Sequence, residues 1–128
     1  MIAPYYQDEN FTLYCGDARE IIPQLDLAAV FLTLTDPPYG INSVRRDGKM
    51  GGSVAAANKV YEPVVGDDQP MEIEHLLALP GRKIVWGADH LARGIPPGGR
   101  LLVWDKRDGM KSNDFADAEV ALDTAGGP

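Results

Sequence analysis

The sequence lacks most of the features that would place it outside the soluble globular class. Its single cysteine, Cys15, excludes an internal disulfide, and it has no ligand-spaced partner for a zinc site. The apolar runs are broken by Thr, Asp or Pro well short of the roughly 18 to 20 residues that a membrane helix requires. The first ten residues lack the basic start and apolar core of a signal peptide, so we expect a cytoplasmic protein. Cys15 is most simply a small apolar core residue.

Positive charge is scarce overall but locally concentrated. The formal net charge is −7, which taken alone argues against binding to nucleic acid. Arg45, Arg46 and Lys49 nevertheless lie close together, and a second basic group follows between residues 100 and 111. Two local basic patches are compatible with DNA, while solvated loop charges are an equally good interpretation.

The apolar pattern predicts one α/β domain over residues 1–128. Hydrophobic residues make up 45% of the chain and charged residues 24%, the balance of an ordinary globular domain. Continuously apolar strand patterns at 28–35, 83–87 and 100–106 alternate with helical patterns near 18–22, 70–79 and 88–94. Such strands suit a parallel sheet covered by helices on both faces, with Trp86 and Trp104 in the core.

Three further segments complete the prediction. Residues 11–15, FTLYC, alternate as a short strand, and Asp17 is placed to cap a following helix. Residues 112–123 suit either a helix or a strand. Residues 41–60 are rich in Gly, Ser, Ala and basic residues, which predicts a mobile loop long enough to serve as a lid or binding loop.

The stretch TLTDPPYG, residues 33–40, ends the first apolar strand with groups suited to bind an amine. Pro37 and Pro38 fix φ and remove two backbone donors, so the turn presents carbonyl oxygens beside the Asp36 carboxylate. These acceptors suit an exocyclic amine, and Tyr39 offers a flat face on which a base can stack. Asp-Pro and Pro-Pro steps also form ordinary turns, which is the alternative without chemistry.

DPPYG after an apolar strand resembles the catalytic motif of amino-group DNA methyltransferases, which methylate N6 of adenine or N4 of cytosine. The segment YYQDENFTLYCGDAREIIPQL ahead of the motif, together with WGADHLA, LLVWDKRDG and SNDFADAEVAL, resembles the surroundings of that motif in bacterial and phage members, including restriction-modification enzymes. The resemblance implies S-adenosylmethionine as cofactor and double-stranded DNA with a flipped base as substrate. The fold that it implies is a Rossmann-like methyltransferase sheet in partial form.

The resemblance also assigns roles to residues. Asp36 and the Pro37 carbonyl orient the target amine within the rigid Asp36-Pro37-Pro38 turn, and Tyr39 stacks on the flipped base. Asp at the first position is typical of members acting on adenine N6. Asp17 resembles the cofactor-side acid, with a helix N-cap as an equally good interpretation. Arg45, Arg46 and Lys49 become phosphate contacts, and no metal is implied.

One feature of the family is missing from the sequence. No glycine pair forms the F-x-G-x-G turn that binds the methionine part of the cofactor. We therefore expect a truncated catalytic domain that is inactive alone, completed by a second chain or by self-association. The alternative is a non-catalytic DNA-binding or assembly module derived from a methyltransferase. A nucleotide-binding protein of another chemistry has no Walker-type phosphate loop to support it.

Overall fold

The first described elements are a small hairpin. A computed structural model describes residues 2–43, 61–91, 94–107 and 117–125. Strand β1 (Tyr6–Gln7) pairs antiparallel with β2 (Thr12–Leu13), and both strands are exposed. Cys15 is exposed as well, so its predicted place in the core is wrong. The alternating residues 11–15 contribute to a two-stranded hairpin in which neither strand is buried. Its Tyr6 ring stacks on Phe11.

The helix predicted after Gly16 is present. Helix α1 (Ala18–Ile21) begins directly after Asp17, whose carboxylate accepts a hydrogen bond from the Arg19 N–H at 2.8 Å. A 3-10 turn (Ile22–Gln24) containing Pro23 follows and ends the helical segment, because proline cannot continue the hydrogen-bond ladder. The predicted N-cap role of Asp17 is therefore confirmed.

The central sheet has four strands and mixed direction. Strands β3 (Leu32–Thr35), β4 (Arg82–Trp86), β5 (Arg100–Asp105) and β6 (Ala118–Asp123) lie in the order β3-β4-β6-β5. Strands β3 and β4 are parallel, whereas β6 is antiparallel to both β4 and β5. Strand β5 consequently runs in the same direction as β3 and β4. The α/β prediction is confirmed at this coarse level, and the ambiguous segment 112–123 contributes a strand.

One face of the sheet carries the main core. Val85 and Leu122 are cross-strand partners, so their side chains lie on the same face, and both are completely buried. Full burial of side chains of this size stabilises the fold by about 1.5–3 kcal/mol each. They pack with residues from the segment before β4 and the turn after it, namely Met71, Ile73, Leu76 and Ala88.

Helix α2 (Glu74–Leu77) is shorter than the pattern predicts. The predicted start at Pro70 is wrong because Met71 instead forms an isolated parallel bridge with Leu91, which holds the backbone extended. Ile73 precedes the helix without a capping hydrogen bond from its side chain. Within the segment predicted as a helix at 88–94, Ala88–His90 form a 3-10 turn, and residues 92 and 93 lie outside the described residues. No helix in the described ranges is long and apolar enough to span a membrane.

The opposite face of the sheet is largely open. Leu34 pairs with Ile84 across the strands, and Trp86 contacts Trp104 edge to face with ring centroids 6.2 Å apart. Leu34 is 62% exposed and Trp104 is 54% exposed. The predicted cover on both faces is therefore wrong for the described residues, and so is a core position for Trp104. An apolar pattern indicates that a strand can be buried, but it does not specify which elements cover it; Leu76 of α2 and Ala88 of the turn after β4 pack on the face that carries Val85 and Leu122.

Candidate functional site

The site predicted at DPPYG lies where two parallel strands end. Strand β3 ends at Thr35, so Asp36 is the first residue beyond it, as predicted. Strand β4 ends at Trp86 and is followed by Gly87. Because β3 and β4 are parallel, both turns lie at the same edge of the sheet, the edge at which open α/β sheets bind ligands.

Asp36 and Tyr39 contact each other within the turn. The Tyr39 hydroxyl donates a hydrogen bond to Oδ1 of Asp36 across 2.5 Å, a length typical of a charge-assisted bond. Burial of the phenol, followed by the hydrogen bond to the Asp36 carboxylate, raises the pKa of Tyr39 above its usual range. The structure thus brings the predicted acceptor and the predicted stacking ring together, and the acceptor already has a donor.

The ring of Tyr39 rests against the turn that follows β4. It stacks on the His90 imidazole with centroids 4.9 Å apart and an interplanar angle of 14°. Gly87 has a φ of +78°, and a Cβ added there would lie 2.2 Å from Cε1 of Tyr39. Glycine is therefore required at position 87 both by the backbone and by the close approach of the phenol ring.

The chain turns sharply at Gly40, whose φ is +75° and where an added Cβ would lie 2.2 Å from the Gln69 carbonyl oxygen. A buried carboxylate, Asp67, holds the chain that leaves this turn. It accepts hydrogen bonds from the N–H groups of Gly40, Ile41 and Ser43 at 3.0, 3.2 and 2.6 Å, and from the Ser43 hydroxyl at 2.7 Å.

Those bonds decide the charge state of Asp67. The residue is only 5% exposed, and burial alone would raise its pKa. The hydrogen bonds from Ser43, Ile41 and Gly40 outweigh burial and hold the pKa of Asp67 below its usual value. A charged Asp67 therefore fixes the exit of the DPPYG turn from a position 27 residues further along the chain.

The two prolines of the motif differ in exposure. Pro37 is half-buried and Pro38 is exposed. A Cβ built on Gly66 would lie 3.9 Å from Cγ of Pro38, so residues 63–68 run beside the turn.

An open cavity of about 360 Å³ adjoins this segment and is lined by Asn42, Asp67, Asp68 and residues 63–66. Its volume is at the lower end of the range for small-molecule sites.

Asp17, the predicted cofactor-side acid, is paired with Arg19. Both carboxylate oxygens accept hydrogen bonds from the guanidinium, with the shortest at 2.6 Å. The Arg19 guanidinium and N–H lower the pKa of Asp17 to about 2. The described hydrogen bonds that this carboxylate accepts thus all come from Arg19, which favours the N-cap interpretation over a cofactor contact.

The predicted phosphate contacts Arg45, Arg46 and Lys49 lie outside the described residues, as do residues 44–60 of the predicted loop. The described members of the second basic group are partly neutralised. Lys106 forms an ion pair with Glu119 and also lies 5.6 Å above the Trp104 ring, and Arg107 pairs with Asp117. These pairs weaken the case for phosphate binding by this group.

Comparison with known proteins adds no relative: no family model, no curated protein and no solved structure matches the chain. The site must therefore be judged on its own chemistry. Within the described residues, no group of three or more His, Cys, Asp or Glu side chains could hold a metal ion. The turn offers a carboxylate, a rigid backbone and an aromatic ring, groups suited to bind a planar molecule that carries an amine.

Three residues of this site were not predicted from the sequence. His90 stacks on Tyr39, a contact that no pattern in the sequence indicates. Gly87 was predicted only as the last residue of the strand pattern 83–87, and Asp67 carried no prediction. A glycine directly after an apolar strand pattern is the one local signal in the sequence that could have indicated Gly87. A tight turn with positive φ often needs a glycine. The contacts of His90 and Asp67 join segments that are far apart in the chain and have no local signal.

Proposed function

We propose that the turn from Asp36 to Tyr39 is the amine-binding site of a DNA amino-methyltransferase. The single observation that carries the proposal is the placement of a carboxylate acceptor and a stacking ring in contact with each other at the end of β3. A base that stacks on Tyr39 brings its exocyclic amine near the carboxylate of Asp36. The resemblance of DPPYG to the motif of that family supports the same reading, with adenine N6 as the preferred target.

The residues of the turn supply the acceptor side of the reaction. The Asp36 carboxylate accepts a hydrogen bond from the amine and orients its nitrogen lone pair. Tyr39 stacks on the base, an interaction that contributes about 1–3 kcal/mol in comparable sites and offsets part of the cost of flipping the base. The rigid prolines keep both groups in fixed register.

S-adenosylmethionine, the cofactor implied by the resemblance, would supply the methyl group. The described residues do not fit a complete cofactor site, because the Asp17 carboxylate is occupied by Arg19. We therefore propose that methyl transfer depends on a complementing chain or on association between copies. The turn itself contributes only amine recognition.

Transfer of tritiated methyl groups tests this function directly. The chain, alone and coexpressed with candidate methyltransferase fragments that carry a glycine motif, is incubated with unmethylated phage DNA and labelled S-adenosylmethionine. We expect incorporation into N6-methyladenine and its loss in Asp36→Ala, with Glu9→Gln, an exposed change in the β1–β2 turn, as the matched control. Absence of transfer with every complementing fragment would rule out a working enzyme.

The second candidate is a non-catalytic DNA-binding or assembly module. It is favoured by a specific observation, since the carboxylates of Asp36 and Asp17 are both already hydrogen-bonded by other side chains of this chain. This candidate predicts salt-sensitive DNA binding without affinity for S-adenosylmethionine. Titration calorimetry of the cofactor against the chain separates the two functions, because micromolar binding is incompatible with the module.

A further inference from the structure

The Tyr39 ring has two faces, and one of them is occupied by His90. The imidazole lies 4.9 Å from the phenol centroid and is inclined to it by only 14°. A base that stacks on Tyr39 must therefore take the opposite face, which would create a three-layer stack of imidazole, phenol and base. Aromatic pairs of this kind are worth about 0.5–1.5 kcal/mol beyond the area that they bury.

The turn that carries His90 is firmly anchored to the fold. Ala88 is buried in the main core, and Leu91 forms a bridge with Met71. The His90 N–H donates to the Gly87 carbonyl at 2.9 Å, which closes the turn. A ring supported by such a turn has less freedom than a tyrosine on a free loop.

The imidazole also lies near a carboxylate. Nε2 of His90 lies 3.5 Å from Oδ2 of Asp89, an exposed carboxylate on the same turn. Gly87 permits the phenol to approach the backbone of that turn, because any side chain at position 87 would overlap the ring. The turn after β4 therefore contacts the Tyr39 ring both through its backbone at Gly87 and through the imidazole of His90.

From this arrangement we infer that His90 is a positioning residue of the amine site, an inference that rests on the proposed methyltransferase function. Its imidazole supports the Tyr39 ring from one side and keeps the ring in register with Asp36, while a base would stack on the other side. His90 does not contact the amine and acts through Tyr39. A flat apolar ring at position 90 preserves this action, whereas a methyl group does not.

The test compares His90→Ala with His90→Phe, and His75→Ala serves as the matched control because His75 is an exposed histidine on α2. Tritium transfer to unmethylated phage DNA by the complemented protein is resolved into kcat and KM for DNA. We expect His90→Ala to lower kcat/KM for DNA about three- to tenfold, the range that one aromatic pair supplies. His90→Phe restores most of this loss, and the KM for S-adenosylmethionine stays unchanged in both variants.

A second readout needs no activity. In the free protein, nuclear Overhauser contacts between the rings of residues 39 and 90 are expected in the wild type and in His90→Phe. Equal loss of kcat/KM in His90→Ala and His90→Phe would overturn the inference, as would wild-type activity in His90→Ala. A wild-type protein that transfers no methyl group with any complementing fragment overturns the proposed function instead, and the positioning role with it.

Discussion

Tyr39 donates its phenolic hydrogen to Oδ1 of Asp36, so the two side chains that the proposed reaction requires satisfy each other in the free protein. An incoming amine either donates to a remaining lone pair of the carboxylate or displaces the phenol. Displacement exchanges one donor to Asp36 for another, which costs little net hydrogen bonding. The contact therefore holds the ring and the carboxylate in place before a base arrives.

The first prediction concerns the alkaline stability of the protein. The folded pKa of Tyr39 is raised, so its protonated phenol contributes stability that is fully present below the unfolded pKa of about 10. This contribution is lost as the pH rises through the higher folded pKa. Urea unfolding of wild type and Tyr39→Phe should show a free-energy difference that shrinks above about pH 10.

An ultraviolet difference titration between the same two proteins isolates the ionisation of Tyr39, since the phenylalanine variant lacks only that phenol. The transition should occur above the ordinary tyrosine range, because burial and the Asp36 carboxylate oppose formation of a tyrosinate. A difference in unfolding free energy that stays constant with pH would contradict the prediction.

The second prediction concerns Asp67 and acid. Replacement by Ala leaves the N–H groups of Gly40, Ile41 and Ser43 without their acceptor, and we expect a loss of about 2–3 kcal/mol in the free energy of unfolding. The folded pKa is lowered, so the contribution is present above the unfolded pKa of about 3.9 and is lost as the pH falls through the folded pKa.

Denaturant unfolding measured between neutral pH and acid checks both statements about Asp67. Its neighbour Asp68 is exposed, which makes Asp68→Ala a matched control with little expected effect. If the two alanine variants lose equal stability, or if the loss in Asp67→Ala is the same at every pH, the carboxylate does not organise the turn.

Local chemistry made part of the site predictable from the sequence. The end of β3 before Asp36 and the positive φ of Gly40 follow from an apolar run that meets prolines and a glycine. The capping role of Asp17 follows in the same way from its place before a helical segment. Such features depend on a few adjacent residues, so no tertiary structure is needed to infer them.

Contacts between distant segments were not predictable in this way. Asp67 contacts Gly40 across 27 positions, and His90 reaches Tyr39 only because β3 and β4 are neighbours. The segment that became β6 had overlapping helical and strand patterns, which pairing with β4 and β5 resolved. Hydrophobicity also failed to indicate that Leu34 and Trp104 would be exposed, because it does not specify what covers a strand.

The third prediction concerns the open face of the sheet. Leu34, Ile84, Trp86 and Trp104 share this face, and apolar surface of this kind attracts dyes and other molecules. Trp104→Gln should lower the fluorescence of a bound hydrophobic dye and reduce light scattering at high protein concentration. We expect the free energy of unfolding to fall by only about 0.5–1.5 kcal/mol, the value of an aromatic pair.

Val103 supplies the matched control for this face. It is the preceding residue of β5, it is 67% exposed, and its cross-strand partner Val120 places it on the opposite face. Val103→Gln removes a comparable exposed apolar group but leaves the Trp86–Trp104 contact intact. Equal effects of the two substitutions on dye binding would show that the edge strand, rather than the open face, is responsible.

The fourth prediction separates backbone strain from the contact between Gly87 and Tyr39. Gly87 and Gly94 have nearly the same φ, +78° and +75°, but an added Cβ meets Tyr39 at position 87 and nothing within 4 Å at position 94. Gly94→Ala should therefore cost only the left-handed backbone term of about 1–2 kcal/mol. Gly87→Ala should cost about 1–3 kcal/mol more, because the phenol must move.

The extra cost should vanish when the ring is absent. In a Tyr39→Ala background, Gly87→Ala and Gly94→Ala are expected to lower the free energy of unfolding by similar amounts, since only the backbone term remains for both. Chemical denaturation of the single and double variants measures this coupling. A displaced Tyr39 ring also loses its contacts with His90 and Asp36. Gly87→Ala should therefore lose base recognition, whereas Gly94→Ala keeps it. Equal methyl transfer by the two variants would mean that the position of Tyr39 does not govern the site.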